Sequence, residues 1–470
     1  MHIIEFLNDN IIWGIPMLVL MIGTGLMLII MTKGIIFSKF NIVMRYTLAT
    51  LFKKRTEAKE GTITPFQAVS TALAATVGTG NIVGVAVAIQ VGGPGAIFWM
   101  WVSAVIGMMT KYSEVLLAFA YKDKNDKGEV VGGPMYYITK GLGKKWFAFV
   151  FCFCGIFASF GVGSMVQANA LAGGVKASFG VAPWITGIVV VVLAGMVLIG
   201  GIKRISSVAE ILVPFMALFY IVGALVVLGI NASGIPAAFA LIIENGFTPA
   251  AASGGFLGAT VMYATRIGIA RGVFTNEAGL GSAPIAHAAA DNDHPARQGL
   301  WGAFETFFDT LVMCTITALV ILTSGLWNSD PMMEGNAMST MAFNNAFNGG
   351  GYIVAIGLVL FAFATIIAWY YYGEKCIEYM VGQKGINFYR IVFIGTVYLG
   401  CVAKLDVVWQ LSDLFNGMMA IPNLIALFLL APVVKNLTVD FFKNPDRIRP
   451  ENEDYTKFMI FNGKKPKVKY

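Results

Sequence analysis

The sequence predicts an all-α polytopic membrane protein of 11 transmembrane helices, in which ten form a 5+5 inverted repeat and one extra helix precedes them. Three observations lead there. The 470 residues are 57% hydrophobic and 13% charged, against about 25% charged residues in an ordinary soluble domain, and the mean hydropathy is +0.73. Apolar stretches of the roughly 20 residues that a spanning helix needs recur 11 times along the chain. The basic residues then fall almost entirely on one side of the alternating spans.

The spans are expected near 11 to 32, 66 to 91, 94 to 121, 147 to 172, 183 to 202, 206 to 230, 255 to 286, 299 to 326, 350 to 380, 388 to 404 and 409 to 434. The chain starts with Glu5 and Asp9 rather than a basic segment, and its first apolar run reaches Met31. It is therefore read as a retained helix, not a cleaved signal. Residues 1–62 form the extra helix and a basic loop, 63–230 the first repeat, 231–254 an extracellular connection, 255–434 the second repeat and 435–470 a basic tail.

Alternation from an outside N-terminus places 28 of the 33 Lys and Arg residues in the cytoplasm, among them Lys53, Lys54, Arg55, Lys144, Lys145, Lys203 and Arg204. This bias predicts a multi-pass protein of the cell membrane with N-terminus outside and C-terminus inside. It also explains the net charge of +7 as a rim against the lipid headgroups, with no nucleic-acid partner. Cys152, Cys154, Cys314, Cys376 and Cys401 all fall in spans without a CxxC pair, and read as small packing residues.

Five helices per repeat is an odd number, so the second set must run inverted; in such folds the first helix of each set is broken near the bilayer midplane. Both are. TALAATVGTGNIVGV (71 to 85) carries Thr79, Asn81 and three glycines inside an apolar stretch, and NEAGLGS (276 to 282) interrupts the other. From Gly255 to Asn276 is about 30 Å of helix, too long for half a span, so part of 248 to 263 is expected along the outer face, with Arg266 and Arg271 lifted towards an outer vestibule.

Unwound backbone survives in hydrocarbon only where protein, water or a ligand satisfies it. The GTGN segment offers carbonyls to a cation and half-helix amides to a carboxylate; its bland alternative is helix packing through Gly80 and Gly84. Glu277 is an ionisable group at membrane depth, either functional or paired with one of the two arginines. Gln167 reads as interhelical glue or ligand. Thr365 and Trp369 share one face of their helix, for binding or for packing. Glu114, Glu210 and Glu374 are expected snorkelling or paired near cytoplasmic helix ends. His287 and His294 are expected at the cytoplasmic edge without partners, metal or proton relay.

TALAATVGTGNIVGV, GGPGAIFWMW, GGPMYY, RGVFTNEAGLGSAPIAHAAA and YYGEKC, in this order over nearly the whole chain, resemble the alanine or glycine:cation symporter family of the amino acid-polyamine-organocation superfamily. The resemblance implies a leucine-transporter-type core and uptake of alanine or glycine with co-transported Na+ by alternating access. An alternative is Na+- or H+-coupled transport of a larger neutral amino acid such as glutamine. By motif, Thr79 and Gly80, with Asn81 beside them, would receive the substrate carboxylate, and Gln167 and Asn276 the amino group. Trp369 would close the pocket around a short side chain, and Phe274 would belong to the substrate-binding residues. Na+ would lie between the carbonyls of Ala75 and Gly78 and the hydroxyl of Thr365, held by neutral oxygens. No filter repeat indicates a channel, and no HExxH, GxSxG or Ser-His pairing indicates an enzyme.

Overall fold

The computed structural model describes residues 2–52, 58–247, 261–328, 335–403, 406–450 and 453–459. Apart from a hairpin of β1 (Asp123–Lys124) and β2 (Val130–Val131) and one bridge, its regular structure is helical. A short helix His2–Leu7 and a π turn Asn8–Ile12 lead into α1 (Ile15–Met31). The first interrupted helix is α2 (Pro65–Thr76) and α3 (Val83–Gly92), followed by α4 (Gly95–Ala120) and α5 (Lys145–Phe179). Then come α6 (Pro183–Leu198), α7 (Gly201–Ile230) and α8 (Ile235–Phe247). The second interrupted helix is α9 (Val261–Asn276) and α10 (Pro284–His287), followed by α11 (Pro295–Thr323) and α12 (Gly335–Ala346). The chain continues through α13 (Gly351–Val381), α14 (Lys384–Val402) and α15 (Asp406–Lys443).

Among the described residues, eight helices are long and apolar enough to cross a membrane, including α4, α5, α7, α11, α13, α14 and α15. Helix α7 shows what the bilayer must cover. Ile211, Leu218 and Leu225, spaced by seven residues, are 73%, 64% and 53% exposed, an apolar stripe that water would not tolerate. The connection expected over 231–254 carries α8, and α12 lies between the spans expected at 299 to 326 and 350 to 380. Most of the outer-face segment expected over 248 to 263 lies outside the described residues.

The start of α2 is fixed by local chemistry. Thr64 Oγ1 accepts from Gln67 N at 3.1 Å, Gln67 Oε1 accepts from Thr64 N at 3.0 Å, and Pro65 occupies the first helical position, which together make a reciprocal N-terminal cap. Just before it, Ile63 N donates to Ala289 O at 3.0 Å and Asp291 N to Ile63 O at 2.8 Å. This bridge ties the entry of the first interrupted helix to the exit of the second, so the two breaks are held side by side.

Candidate functional site

At the first break the chain leaves helix at Val77 and Gly78. Gly78 N donates to Asn81 Oδ1 at 2.9 Å and Asn81 N to Gly78 O at 3.2 Å, so Asn81 closes the turn that starts the second half-helix. Its other side-chain atom, Nδ2, donates to Asp309 Oδ1 at 2.7 Å and to Asp309 O at 3.2 Å. Asp309 sits in a π-helical stretch of α11, Phe307–Cys314, and such a stretch shifts backbone bonds from i+4 to i+5, which brings a carbonyl within reach of an outside donor.

At the second break, Asn276 Oδ1 accepts from Ala278 N at 2.9 Å and its Nδ2 donates to Thr310 Oγ1 at 3.1 Å, while Thr310 Oγ1 donates to Asp309 Oδ2 at 2.8 Å. Asp309 thus links the breaks through one asparagine directly and through the other by way of Thr310. The chain then turns through Glu277, Gly279 and Gly281, with φ of 56°, 92° and 84°. Left-handed backbone suits the glycines and strains the glutamate. The breaks also touch: a Cβ on Gly80 would stand 3.0 Å from Thr275 Cγ2.

Two further helices complete the crossing. Helix α5 has its own π stretch, Gly161–Met165, whose Val162 carbonyl accepts from Gln167 Nε2 at 3.1 Å. That fixes the amide so that Gln167 Oε1 faces the first break and accepts from Thr79 Oγ1 at 3.0 Å. On α13, Thr365 Oγ1 lies 3.0 Å from both Ala74 O and Phe361 O. A Cβ on Gly78 would be 2.7 Å from that hydroxyl and 3.7 Å from Ala75 O, so these three residues converge on one point. One turn further, Trp369 Nε1 donates to Glu277 Oε1 at 3.0 Å, and Ser282 Oγ donates to Glu277 Oε2.

Of the residues singled out in the sequence, the structure brings Ala75, Gly78, Thr79, Gly80, Asn81, Gln167, Asn276, Thr365 and Trp369 to this crossing. The amides of Asn81 and Asn276 are engaged by the turns they close. Thr365 bonds its own helix and the first broken helix at once. Phe274, next to Thr275 in the chain, is half-buried, with the Arg271 guanidinium 5.8 Å from its ring centre.

Other expectations are corrected. Glu277 is held by Trp369 and Ser282 rather than by an arginine; Arg266 pairs instead with Asp9 at 3.3 Å. His287 is fully buried and partnered: its Nε2 lies 3.1 Å from Glu305 Oε2 and its Nδ1 2.9 Å from Gln298 Nε2. Lys111 Nζ lies 3.5 Å from the other oxygen of Glu305, with both side chains fully buried. His294 caps α11, its Nδ1 accepting from Ala296 N at 2.9 Å. Glu114 does not snorkel but accepts from Asn423 Nδ2 in the core. Sequence reasoning passes over Asp309, although two carboxylates four residues apart inside the apolar stretch 299 to 326 are a signal of function or pairing.

The model of the sodium:alanine symporter family matches residues 1–455. The chain belongs to this family. Within it, the chain is 48% identical over 440 residues to the sodium/alanine symporter AgcS of Methanococcus maripaludis, covering 92% of this chain and 95% of that one. It is 46% identical to an uncharacterized transporter of Haemophilus influenzae over 93% of this chain and 95% of the other. It is 40% identical to the probable sodium/glutamine symporter GlnT of Bacillus subtilis over 94% and 90%. A member of the sodium:alanine symporter family is a multi-pass membrane transporter and not an enzyme, and the family implies Na+ as co-transported ion.

Proposed function

We propose that this symporter imports a small neutral amino acid, alanine or glycine, together with Na+ across the cell membrane, with its N-terminus outside. The observation that carries the reading is the convergence of Ala75, Gly78 and Thr365 beside the Thr79–Gln167 contact. Oxygens fit for a cation and hydrogen-bonding groups fit for an amino-acid backbone thus meet around one unwound segment. The amides of Thr79 and Gly80, first in the half-helix that begins at Thr79, lack partners within their own helix and favour a carboxylate. The Gln167 carbonyl faces the same space and favours an ammonium. Asn276, engaged at its own turn, would act by holding the second break rather than by direct contact.

The way Trp369 is held favours a short side chain. A Cβ on Gly163 would stand 2.3 Å from Trp369 Cβ, so the indole is pressed against α5 on one side and bonded to Glu277 on the other. A substrate as long as glutamine would have to displace a tryptophan fixed at two points.

In this reading the two repeats rock about the crossing, and Na+ joins the first break to α13 in the outward-open state. One charge moving down 100 mV supplies about 2.3 kcal/mol, and a tenfold Na+ gradient about 1.4 kcal/mol. With one-to-one coupling these sustain roughly 500-fold accumulation of a zwitterion. The test is reconstitution into liposomes: an inward Na+ gradient should drive alanine or glycine above equilibrium, with glutamine a weak competitor. Uptake indifferent to Na+, or glutamine preferred over alanine, would overturn the corresponding half of the proposal.

A further inference from the structure

Where α2 and α7 begin, a cavity of about 420 Å³ opens between the two helices, lined by Lys59, Glu60, Thr62, Gln67, Lys203 and Ser207 among others. Its polar groups are partly committed. Thr62 Oγ1 donates to Lys59 O and Ser207 Oγ to Lys203 O, each at 2.7 Å. Lys59 Nζ lies 3.8 Å from Asp291 Oδ1, and Gln67 Oε1 belongs to the cap of α2. Two donors remain. Lys203 is exposed and its ammonium makes no ion pair or hydrogen bond among the described residues, and Gln67 Nε2 makes no hydrogen bond among them.

The cavity continues onto an apolar track. Lys203, Ser207 and Ile211 follow at intervals of four residues and so share a face of α7, which Leu218 extends. Ile211 and Leu218 are 73% and 64% exposed. They stand about 10 Å apart along the axis, within the roughly 15 Å of hydrocarbon in one leaflet. The charge around the cavity is positive. Asp291 acts on Lys122 as well as on Lys59, and Arg204 beside Lys203 is exposed, so Lys59, Lys122, Lys203 and Arg204 outnumber Asp291 and Glu60. Lysines along a membrane face follow a general bias; Lys203 differs in the cavity beside it and the apolar track above it.

We propose that this cavity holds the headgroup of an anionic glycerophospholipid from the adjoining leaflet, with its acyl chains along Ile211 and Leu218. The phosphate is received by Lys203 and Gln67 Nε2. Lys59, whose ammonium has three donors, serves Asp291 and the phosphate together. Glu60 accepts from hydroxyls, which suits a glycerol headgroup. The segment from Lys59 to Gln67 enters the first broken helix and is tied at Ile63 to the exit of the second, so the bound headgroup braces the paired breaks against α7. The inference holds whichever amino acid is carried; only its leaflet, the inner one, rests on the proposed orientation.

The experiment is native mass spectrometry of the purified full-length protein from micelles doped with equal amounts of phosphatidylglycerol, phosphatidylethanolamine and phosphatidylcholine of the same chains. Wild type should retain one phosphatidylglycerol in preference to the other two. Lys203→Gln should lower that retention about tenfold, the loss of one charge-assisted contact. Lys384→Gln, which removes an exposed lysine at the start of α14, should retain it like wild type. Added phosphatidylglycerol should raise the melting temperature of wild type and of Lys384→Gln, but not of Lys203→Gln. An excess of sn-glycerol 3-phosphate should not displace the lipid; displacement would mark a plain anion site and overturn the proposal. Equal retention of the three lipids, preference for phosphatidylethanolamine, or equal losses in Lys203→Gln and Lys384→Gln would also overturn it. Na+-driven uptake measured in phosphatidylcholine vesicles tests the proposed function separately from all of these outcomes.

Discussion

Trp369 on α13 donates its indole N–H to Glu277 at 3.0 Å, and Glu277 is the residue whose left-handed backbone ends α9. One hydrogen bond therefore joins a strained turn to the aromatic group proposed to bound the pocket. Trp369→Phe would leave Glu277 Oε1 buried without its donor, at a cost of about 1–3 kcal/mol. The expected outcome is a lower melting temperature of the purified protein and a weaker bias against glutamine in competition for uptake. Glu277→Gln, whose carbonyl oxygen still accepts from the indole, should melt closer to wild type. Equal behaviour of the two variants in both assays would show that the bond fixes neither the turn nor the pocket.

Gly78 and Thr365 meet too closely for any side chain at position 78. The Gly78 backbone, at φ −130°, would accept alanine, so space alone decides, and a Cβ 2.7 Å from a hydroxyl held on Ala74 O is overpacked. Gly78→Ala should cost about 1–3 kcal/mol. Thr365→Ala should fold and raise the Na+ concentration needed for half-maximal uptake. The double variant should recover much of the melting temperature, because the clashing hydroxyl is gone, without recovering Na+ affinity. If Thr365→Ala leaves the Na+ dependence of uptake unchanged, the cation is not held at this point.

Why some of this is legible in the sequence and some not follows from which residues act locally. Both interruptions can be read because glycine, threonine and asparagine inside an apolar run are expensive unless the helix stops there. The cap at Thr64 is a four-residue pattern. Asp309 is just as visible as a carboxylate in hydrocarbon, but its partner Asn81 lies 228 residues away in the chain, and no periodicity reports that. His287 misleads for the same reason: nothing near it in sequence shows that Glu305 and Gln298 close around it. Helices α8 and α12 escape because 13 and 12 residues are too short to span, so a search for spans passes over them.

Lys111, Glu305 and His287 form a chain of buried groups linking α4, α11 and α10. Removing one member of a buried ion pair typically costs about 3–5 kcal/mol because the other charge is stranded. Lys111→Met should therefore lower the melting temperature strongly. Lys111→Met/Glu305→Gln should recover a good part of the loss, since neither charge remains and the introduced carboxamide can still meet His287. A double variant as unstable as the sum of the single variants would show that the two side chains are not coupled.

His294, in the turn that precedes α11, supplies a pH dependence with a definite sign. Burial, then the charges of Arg449 and Arg297, push its pKa down from the usual 6.5 to about 2. The neutral ring is also the form whose Nδ1 can accept from Ala296 N at 2.9 Å. Between these two pKa values only the unfolded chain binds the proton. The stability that the neutral ring contributes is complete above about pH 6.5 and is lost as the pH falls below it, by about 1.4 kcal/mol per unit. His294→Ser keeps a residue that caps helices well and removes the titration. The melting temperature of the variant should thus fall less than that of wild type between pH 7 and pH 5, measured in the same detergent, and parallel curves would show that His294 is not held neutral.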